Sequence, residues 1–542
     1  MAEAGPRGPA ASPANLDGEP WDAVLIGSGF GGSMVALQLA RAGQRVLLLE
    51  RGRWVGRDDS AWDTRAILVD RKYRSATPVA VPGGGRAYPD ELVGGNSVVY
   101  GAASLRLREA DFTMGSLLSK PGRREPAFVD WPIRYADLEP FYGEAERLLG
   151  VAGVAGQDPG EPPRGGDYPY PAPPYSAPAR SLADAATARG LHPFPIPLAI
   201  NFGGHGGRAR CIQCLTCDLF PCKIGAKNDL AVTVLPDARR LGVVVRPRTI
   251  AERLLVEGGR VTGVACVDAD TQARFTVRAD TYVVSAGAIA SPALLLRSGL
   301  GALKHNGRLI GRHLMRHCSG VVIGMTGRRT NPEQRFHKQV AITDFYFGPA
   351  GTRPQAGGDW WGMIQALQVP PAEYVRSQAP FPIGLIGAAT LGRQLFALCI
   401  AHDEPNPDNR VTLHPRLRDP YGLEVAQVFH RYSARDRRAR RALYREASRV
   451  LRQAGAWLRL PKPIPTFSHA VGSCRMGVDP DQAVLDPWCQ VFGVPNLSVV
   501  DGSFMPTSGA VNPSLTIAAN ALRVGARLAG ARAPAAAQSA LR

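Results

Sequence analysis

The sequence predicts an α/β protein in which a discontinuous Rossmann-like domain, assembled from both ends of the chain, is joined to a domain of antiparallel sheet plus helix. Three observations predict it. An apolar strand, a glycine turn, a helix and a second apolar strand follow one another over residues 21–52, WDAVLIGSGFGGSMVALQLARAGQRVLLLERG. Residues 315–464 differ in character, with short alternating segments, apolar loops and one long helical pattern. The chain then returns to ordered, glycine-rich sequence ending in a helix, NPSLTIAANALRVGARLAG.

The opening unit carries chemistry as well as structure. Gly27, Gly29 and Gly32 give the spacing G-x-G-x-x-G between strand and helix. Gly27 serves the tight turn, Gly29 the close approach of a pyrophosphate, and Gly32 the packing of helix on strand. The helix that follows offers unpaired N–H groups to phosphates. Glu50 ends the second strand 23 residues after Gly27, where a carboxylate takes both hydroxyls of an adenosine ribose. The unit reads as a dinucleotide site.

Farther along, Leu92–Leu107 sets glycines before a polar pair and an alternating run, and Trp131–Gly150 reads as a turn followed by an amphipathic helix. The proline-rich stretch from Gly153 to Pro178 predicts a surface excursion with little regular structure. Residues 243–287 alternate like a β-meander that closes in a buried strand at Val283–Gly287, with the helix ASPALLLRSG after it. Alternation near Val321–Met325 and Met363–Val369 predicts strands, and Ala434–Gly455 a helix. Phe381–Ala401 is the most apolar stretch, but Pro382 and Arg393 interrupt it, so it reads as a buried segment or channel wall rather than a membrane span.

Composition narrows the class. A chain of 542 residues that is 45% hydrophobic can bury a large core, and its 60 glycines and 46 prolines are spread among periodic segments, which suits a loop-rich enzyme. The net charge of +18 comes from scattered arginines and clusters such as Arg435–Arg441. No nucleic-acid-binding motif accompanies it, so nucleic acid is excluded as a partner, while an anionic substrate, lipid surface or acidic partner remains compatible. The first twenty residues hold no apolar run and no basic start. They read as a disordered tail rather than a secretory signal, and the expectation is a cytoplasmic protein.

Together these segments resemble the glucose–methanol–choline (GMC) oxidoreductase family, which binds FAD. The resemblance is carried most specifically by SHAVGSCRMG at 468–477 and VFGVPNLSVVDGSFMPTSGAVNPSLTIAANALRVG at 491–525. It implies a tail at 1–19, FAD-binding segments at 20–152, 235–314 and 465–535, an excursion at 153–234, a substrate domain at 315–464 and a second tail at 536–542. It also implies that His469 is the active-site histidine and Asn512 its partner, as in the His–Asn subgroup of cholesterol and pyranose oxidases. Oxidising an alcohol requires a base to take the hydroxyl proton while hydride leaves carbon for flavin N5, and an imidazole with a pKa of about 6.5 suits that task. Asn512 can hold the hydroxyl without competing for its proton. Outside these motifs the same two residues would as readily cap a helix and satisfy the turn before Pro513.

By the same resemblance, Gly94, Gly95, Asn96 and Ser97 line the isoalloxazine, and Asp501 and Gly502 lie beside the pyrophosphate and ribityl chain. Residues 90–104 contain neither histidine nor cysteine, so the FAD is expected to be non-covalent. With no second dinucleotide fingerprint, oxygen, a quinone or an electron-transfer protein is the expected acceptor. Tyr100 stands where cholesterol oxidases carry asparagine, which counts against a sterol, and the likeness of 94–107 and of WPIRYADL to pyranose oxidases tilts the implied substrate toward a sugar, glycoside or polyol. A sterol or long-chain alcohol is the alternative within the family, and a non-catalytic flavin-binding redox partner the alternative outside it.

Two clusters invite a metal. Cys211, Cys214, Cys217 and Cys222 are spaced C-x2-C-x2-C-x4-C, open to an iron–sulfur cluster, to zinc, or to plain thiols or disulfides. His313 and His317, four apart, would share one face of a helix, although no glutamate completes an H-E-x-x-H motif and packing or a flavin-side role is the stronger expectation. His402, Asp403 and Asn409 read as organisers of loops, and Trp360 and Trp361 as either a platform for a ring-shaped substrate or core aromatics.

Overall fold

The computed structural model describes residues 21–81, 85–118 and 128–530, so the expected tails at 1–19 and 536–542 lie outside the described residues. Short strands with buried apolar residues build the first layer. A five-stranded parallel sheet runs in the order Leu497–Val499, Ala279–Val284, Trp21–Ile26, Val46–Leu49, Val244–Arg246. All four residues of Val46–Leu49 are buried, as expected of a parallel sheet covered on both faces. Its strands come from three separated stretches of chain, which is the discontinuity anticipated.

Helix Phe30–Arg41 connects the first two strands and carries no acidic side chain in its first turn, leaving its N-terminal amides free of local charge competition. Helix Ser514–Leu528 lies against it so closely that a Cβ on Gly525 would stand 3.0 Å from Gln38 Cβ. Helix Tyr135–Leu148 extends this layer, with Tyr142 Oη 2.8 Å from Thr516 Oγ1. The meander is present as three antiparallel strands, Thr249–Glu257, Arg260–Asp268 and Arg274–Val277.

A second, antiparallel sheet of six strands runs Ala456–Pro463, Gly320–Thr326, Gln394–Ala401, Gly362–Leu367, Val340–Ile342, Phe194–Pro195. Helix Ala434–Gln453 covers one face, and the capping box of Ser433 and Asp436 starts it. Ala439, Leu443, Ala447 and Leu451 at helical spacing pack on Val322, Leu395, Ala397 and Cys399, while the arginines take the opposite face.

The apolar stretch at 381–401 divides. Gln394–Ala401 is a fully buried strand, but Phe381 and Ile383 are 85% and 64% exposed, so the first half is not a buried segment. Among the described residues no helix is long and apolar enough to cross a membrane.

Candidate active site

The glycine turn closes against the neighbouring strand's end. Gly27 has φ +100°, and a Cβ there would lie 2.3 Å from Ser285 O, while one on Gly32 would lie 1.9 Å from Gly27 O. Nothing lies within 4 Å of the place a Gly29 Cβ would take, so the turn is tight below and open above. Glu50 sits buried at the end of its strand. Its Oε2 accepts from the Ser28 amide (2.9 Å) and hydroxyl (2.6 Å), and its Oε1 from the Gly52 amide (2.7 Å). Burial pushes its pKa up against these hydrogen bonds.

The Ser28 hydroxyl also accepts from the Gly94 amide at 2.9 Å, which ties the second glycine loop to the first. Gly94 and Gly95 have φ of +95° and +57°, and a Gly95 Cβ would stand 2.9 Å from Gly29 Cα. Ser97 donates to Gly94 O (2.6 Å) and accepts from the Leu230 amide (3.1 Å), whereas the Asn96 side chain is exposed. Asp501 accepts from the Gly287 amide (3.0 Å) and the Ser291 hydroxyl through Oδ2, and from the Ser503 amide (2.9 Å) through Oδ1. It thereby joins the ends of two parallel strands. Gly502 O accepts from the Gly472 amide at 3.0 Å, which draws segment 468–477 alongside.

That segment is clamped on its other side by paired bonds between Val471 and Met315, each 2.9 Å. His469 is therefore delivered, partly buried, between two backbone supports. Its Nε2 stands 3.5 Å from Asn512 Nδ2, and its Nδ1 stands 2.9 Å from Nδ1 of His317. Gln365 donates from Nε2 to Asn512 Oδ1 at 2.8 Å, so the Asn512 amide turns its donor side to His469. Burial holds the His469 imidazole well below the usual histidine range, and the Lys338 charge pushes the same way.

Other histidines share that shift. Burial lowers His317 and His402, and brings His313 down to about 3. Folded, these rings stay neutral at pH values where the unfolded chain, titrating near ~6.5, takes up protons. Stability is therefore fully present above about pH 6.5 and falls as the pH drops toward the folded values, by about 1.4 kcal/mol per pH unit per ring. Thermal melting from pH 8 to pH 4 is expected to show a flat upper limb and a steep fall below about 6.5.

Two expectations are corrected, and one alternative left open is decided. The cysteine run is not an iron–sulfur or zinc site, because among the described residues no group of three or more histidine, cysteine or acidic side chains is placed to hold a metal ion. Cys211, Cys214, Cys217 and Cys222 are free thiols, and burial pushes Cys211 up to about 11 and Cys217 higher. His313 and His317 share no helix, since both have positive φ (+62° and +58°), and only His317 turns toward His469. Of the two readings open for Trp360, the core one holds, with the ring packed edge-on to Phe347 and His402.

The loop organisers behave as anticipated, with Asp403 accepting from the Arg316 amide and from His430, each at 2.7 Å, and Asn409 bonding Arg431 in both directions. Sequence reasoning singled out His317 through the H-x3-H spacing but not its contact with His469. It missed Gln365, whose fainter signal is a polar residue inside the apolar run MIQAL.

The GMC oxidoreductase pattern matches residues 173–319 and 405–521. The 6'''-hydroxyparomomycin C oxidase of Streptomyces lividus is 36% identical over 95% of this chain and 94% of its own length. Paromamine 6'-oxidase of Streptomyces fradiae is 35% identical over 95% and 92%. The crystal structure of pyridoxine 4-oxidase from Mesorbium loti shares the fold with a TM-score of 0.66 at 24% identity, covering 94% of this chain and 99% of that one. A parallel sheet with a glycine-cradled turn, an antiparallel domain and two relatives alike over nearly their full length place this chain in the GMC oxidoreductase family, as an FAD-dependent oxidase or dehydrogenase acting on CH–OH groups.

Proposed function

We propose that the protein oxidises a hydroxyl-bearing carbon of a sugar, glycoside or polyol, with His469 taking the hydroxyl proton and Asn512 holding the oxygen. FAD, when bound, supplies the hydride acceptor. The observation that carries the reading is the approach of His469 Nε2 to Asn512 Nδ2, 3.5 Å, with the amide's orientation set by Gln365. Because Asn512 Oδ1 is engaged, the amide offers the substrate oxygen a donor and leaves the proton to the imidazole. A ring kept neutral by burial is a base ready to accept.

The cofactor fits the same frame. Gly27, Gly29 and Gly32 would admit the pyrophosphate into the open space over Gly29. Glu50 keeps one acceptor site, on Oε1, beyond its three bonds for a ribose hydroxyl. Gly94, Gly95, Asn96 and Ser97 would follow the ring, non-covalently, and Asp501 and Gly502 the pyrophosphate and ribityl chain. Substituting Gly32→Ala, whose methyl would collide with Gly27 O at 1.9 Å, is expected to leave a protein that elutes from gel filtration without flavin absorbance. Wild-type flavin content in that variant would refute the assignment.

One polar group favours a polyhydroxylated substrate over a sterol. Gln365 Oε1 is buried without a hydrogen-bond partner beside Asn512. An apolar ligand would leave it unpaired at about 1–3 kcal/mol, whereas a hydroxyl would satisfy it. The substrate proposal is tested by an anaerobic screen of sugars, glycosides, polyols, sterols and fatty alcohols against the FAD-loaded protein, with flavin bleaching as the readout. Bleaching by sterols alone would overturn it. Admitting air to the bleached sample then separates oxygen from a quinone or carrier protein as the acceptor.

A further inference from the structure

We infer that His317 is a positioning residue that fixes the tautomer of His469, so that the lone pair of its Nε2, and not an N–H, faces the substrate hydroxyl. The inference rests on the reading of His469 as the base.

The backbone holds His317 before its ring does anything. Its carbonyl accepts from Tyr432 Oη at 2.8 Å, the Arg316 amide donates to Asp403 Oδ2 at 2.7 Å, and the Cys318 amide donates to Ala401 O at 2.9 Å. The residue is 1% exposed. Its ring Nε2 lies 3.0 Å from the backbone carbonyl of Ser508. A carbonyl oxygen only accepts, so His317 Nε2 carries the proton. Burial keeps the ring neutral, which leaves its Nδ1 as a bare acceptor.

That acceptor points at Nδ1 of His469, 2.9 Å away, with the two rings edge-on at 86°. Two lone pairs cannot face each other at that distance, so His469 Nδ1 carries the hydrogen and donates it. A neutral imidazole has one N–H only. His469 Nε2 is thereby left unprotonated, on the side of Asn512. Without this constraint the ring would exchange between tautomers, and its Nε2–H form would present no base. The order Ser508 carbonyl, His317, His469 is thus a chain of fixed donors and acceptors in which one backbone oxygen decides which nitrogen reacts.

The test uses FAD-loaded protein with 15N-labelled histidine imidazoles, as wild type and as His317→Phe, His317→Asn and His469→Ala. Wild type is expected to show His469 with a protonated Nδ1 and a bare Nε2. His317→Phe is expected to lose that signature and to slow flavin reduction, by the compound that bleaches fastest in the screen, on the order of 10²-fold or more, as a wrong tautomer does elsewhere. His317→Asn, whose amide oxygen sits near the place of Nδ1, is expected to keep the signature and recover most of the rate. A wild-type His469 protonated at Nε2, or an unchanged signature in His317→Phe, would overturn the inference. If the Phe variant does not fold, the wild-type spectrum and the Asn variant decide. A His469→Ala protein that reduces its flavin at the wild-type rate would instead remove the base itself, a separate failure.

Discussion

His469→Ala is expected to lower substrate-driven flavin reduction by about 10²–10⁴-fold, the range general-base catalysis supplies, while the protein keeps its FAD. The two effects separate because different parts of the chain support them. The glycine turn and Glu50 belong to the parallel sheet and hold their geometry through Ser28, Gly52 and Ser285, none of which touches the imidazole. His469 comes from a segment pinned by main-chain bonds at Val471 and Gly472, so losing its side chain leaves the path of the chain intact. Anaerobic stopped-flow mixing with a substrate from the screen reads the rate, and the resting flavin spectrum reads occupancy. A variant that loses both together would mean the ring is structural. One that keeps a wild-type rate would mean the proton leaves by another route.

How far the molecule could be read from its residues differs between fold and site. The opening of the parallel sheet was legible because local pattern determines it: strands at 21–26 and 46–49 flank a glycine turn whose collisions at Gly27 and Gly32 allow no other residue, whereas the strand expected at 283–287 runs over 279–284, with Asp280 and Thr281 in its less buried first half. The helix at 434–453 was legible from its spacing of small and aliphatic residues. The site was legible only where a motif marks it. His469 and Asn512 stand 43 positions apart, and nothing local says their side chains meet. The pairing of His317 with His469 spans 152 positions and depends on a left-handed backbone at 317, which no periodicity announces. Gln365 lies in a strand from the other domain. The cysteine run misled for the converse reason, since its spacing matches a metal loop while its folded thiols bond to neighbours such as Thr216 and the Gln213 amide. The exposed residues at 381–386 misled because apolarity predicts burial only when a partner surface exists.

Glu146→Ala is expected to be the most destabilising single change in the scaffold behind the site, at about 3–5 kcal/mol, the cost of stripping the partner from a buried charge. Glu146 and Arg106 are each 2% exposed, and they meet in a bidentate pair of 2.9 and 2.8 Å. Arg164 adds a third short bond at 2.7 Å to the same carboxylate. Without it, two guanidinium groups would remain desolvated, with Glu139 and the Tyr135 hydroxyl left to Arg106 and Glu161 left to Arg164. Arg106 follows the Gly94–Ser97 loop and precedes a residue, Leu107, whose amide is held by Tyr142, so the pair fastens that loop's return path to helix Tyr135–Leu148. The neighbouring Glu144 supplies the control. Its partner Arg41 is 41% exposed, and Glu144→Ala is expected to cost less than about 1 kcal/mol. Thermal and denaturant midpoints of the two FAD-loaded variants, compared with wild type, read the difference. Equal shifts would mean that the buried network is no stronger than a solvated pair, and that the return path is held by the apolar contacts around Tyr142 instead.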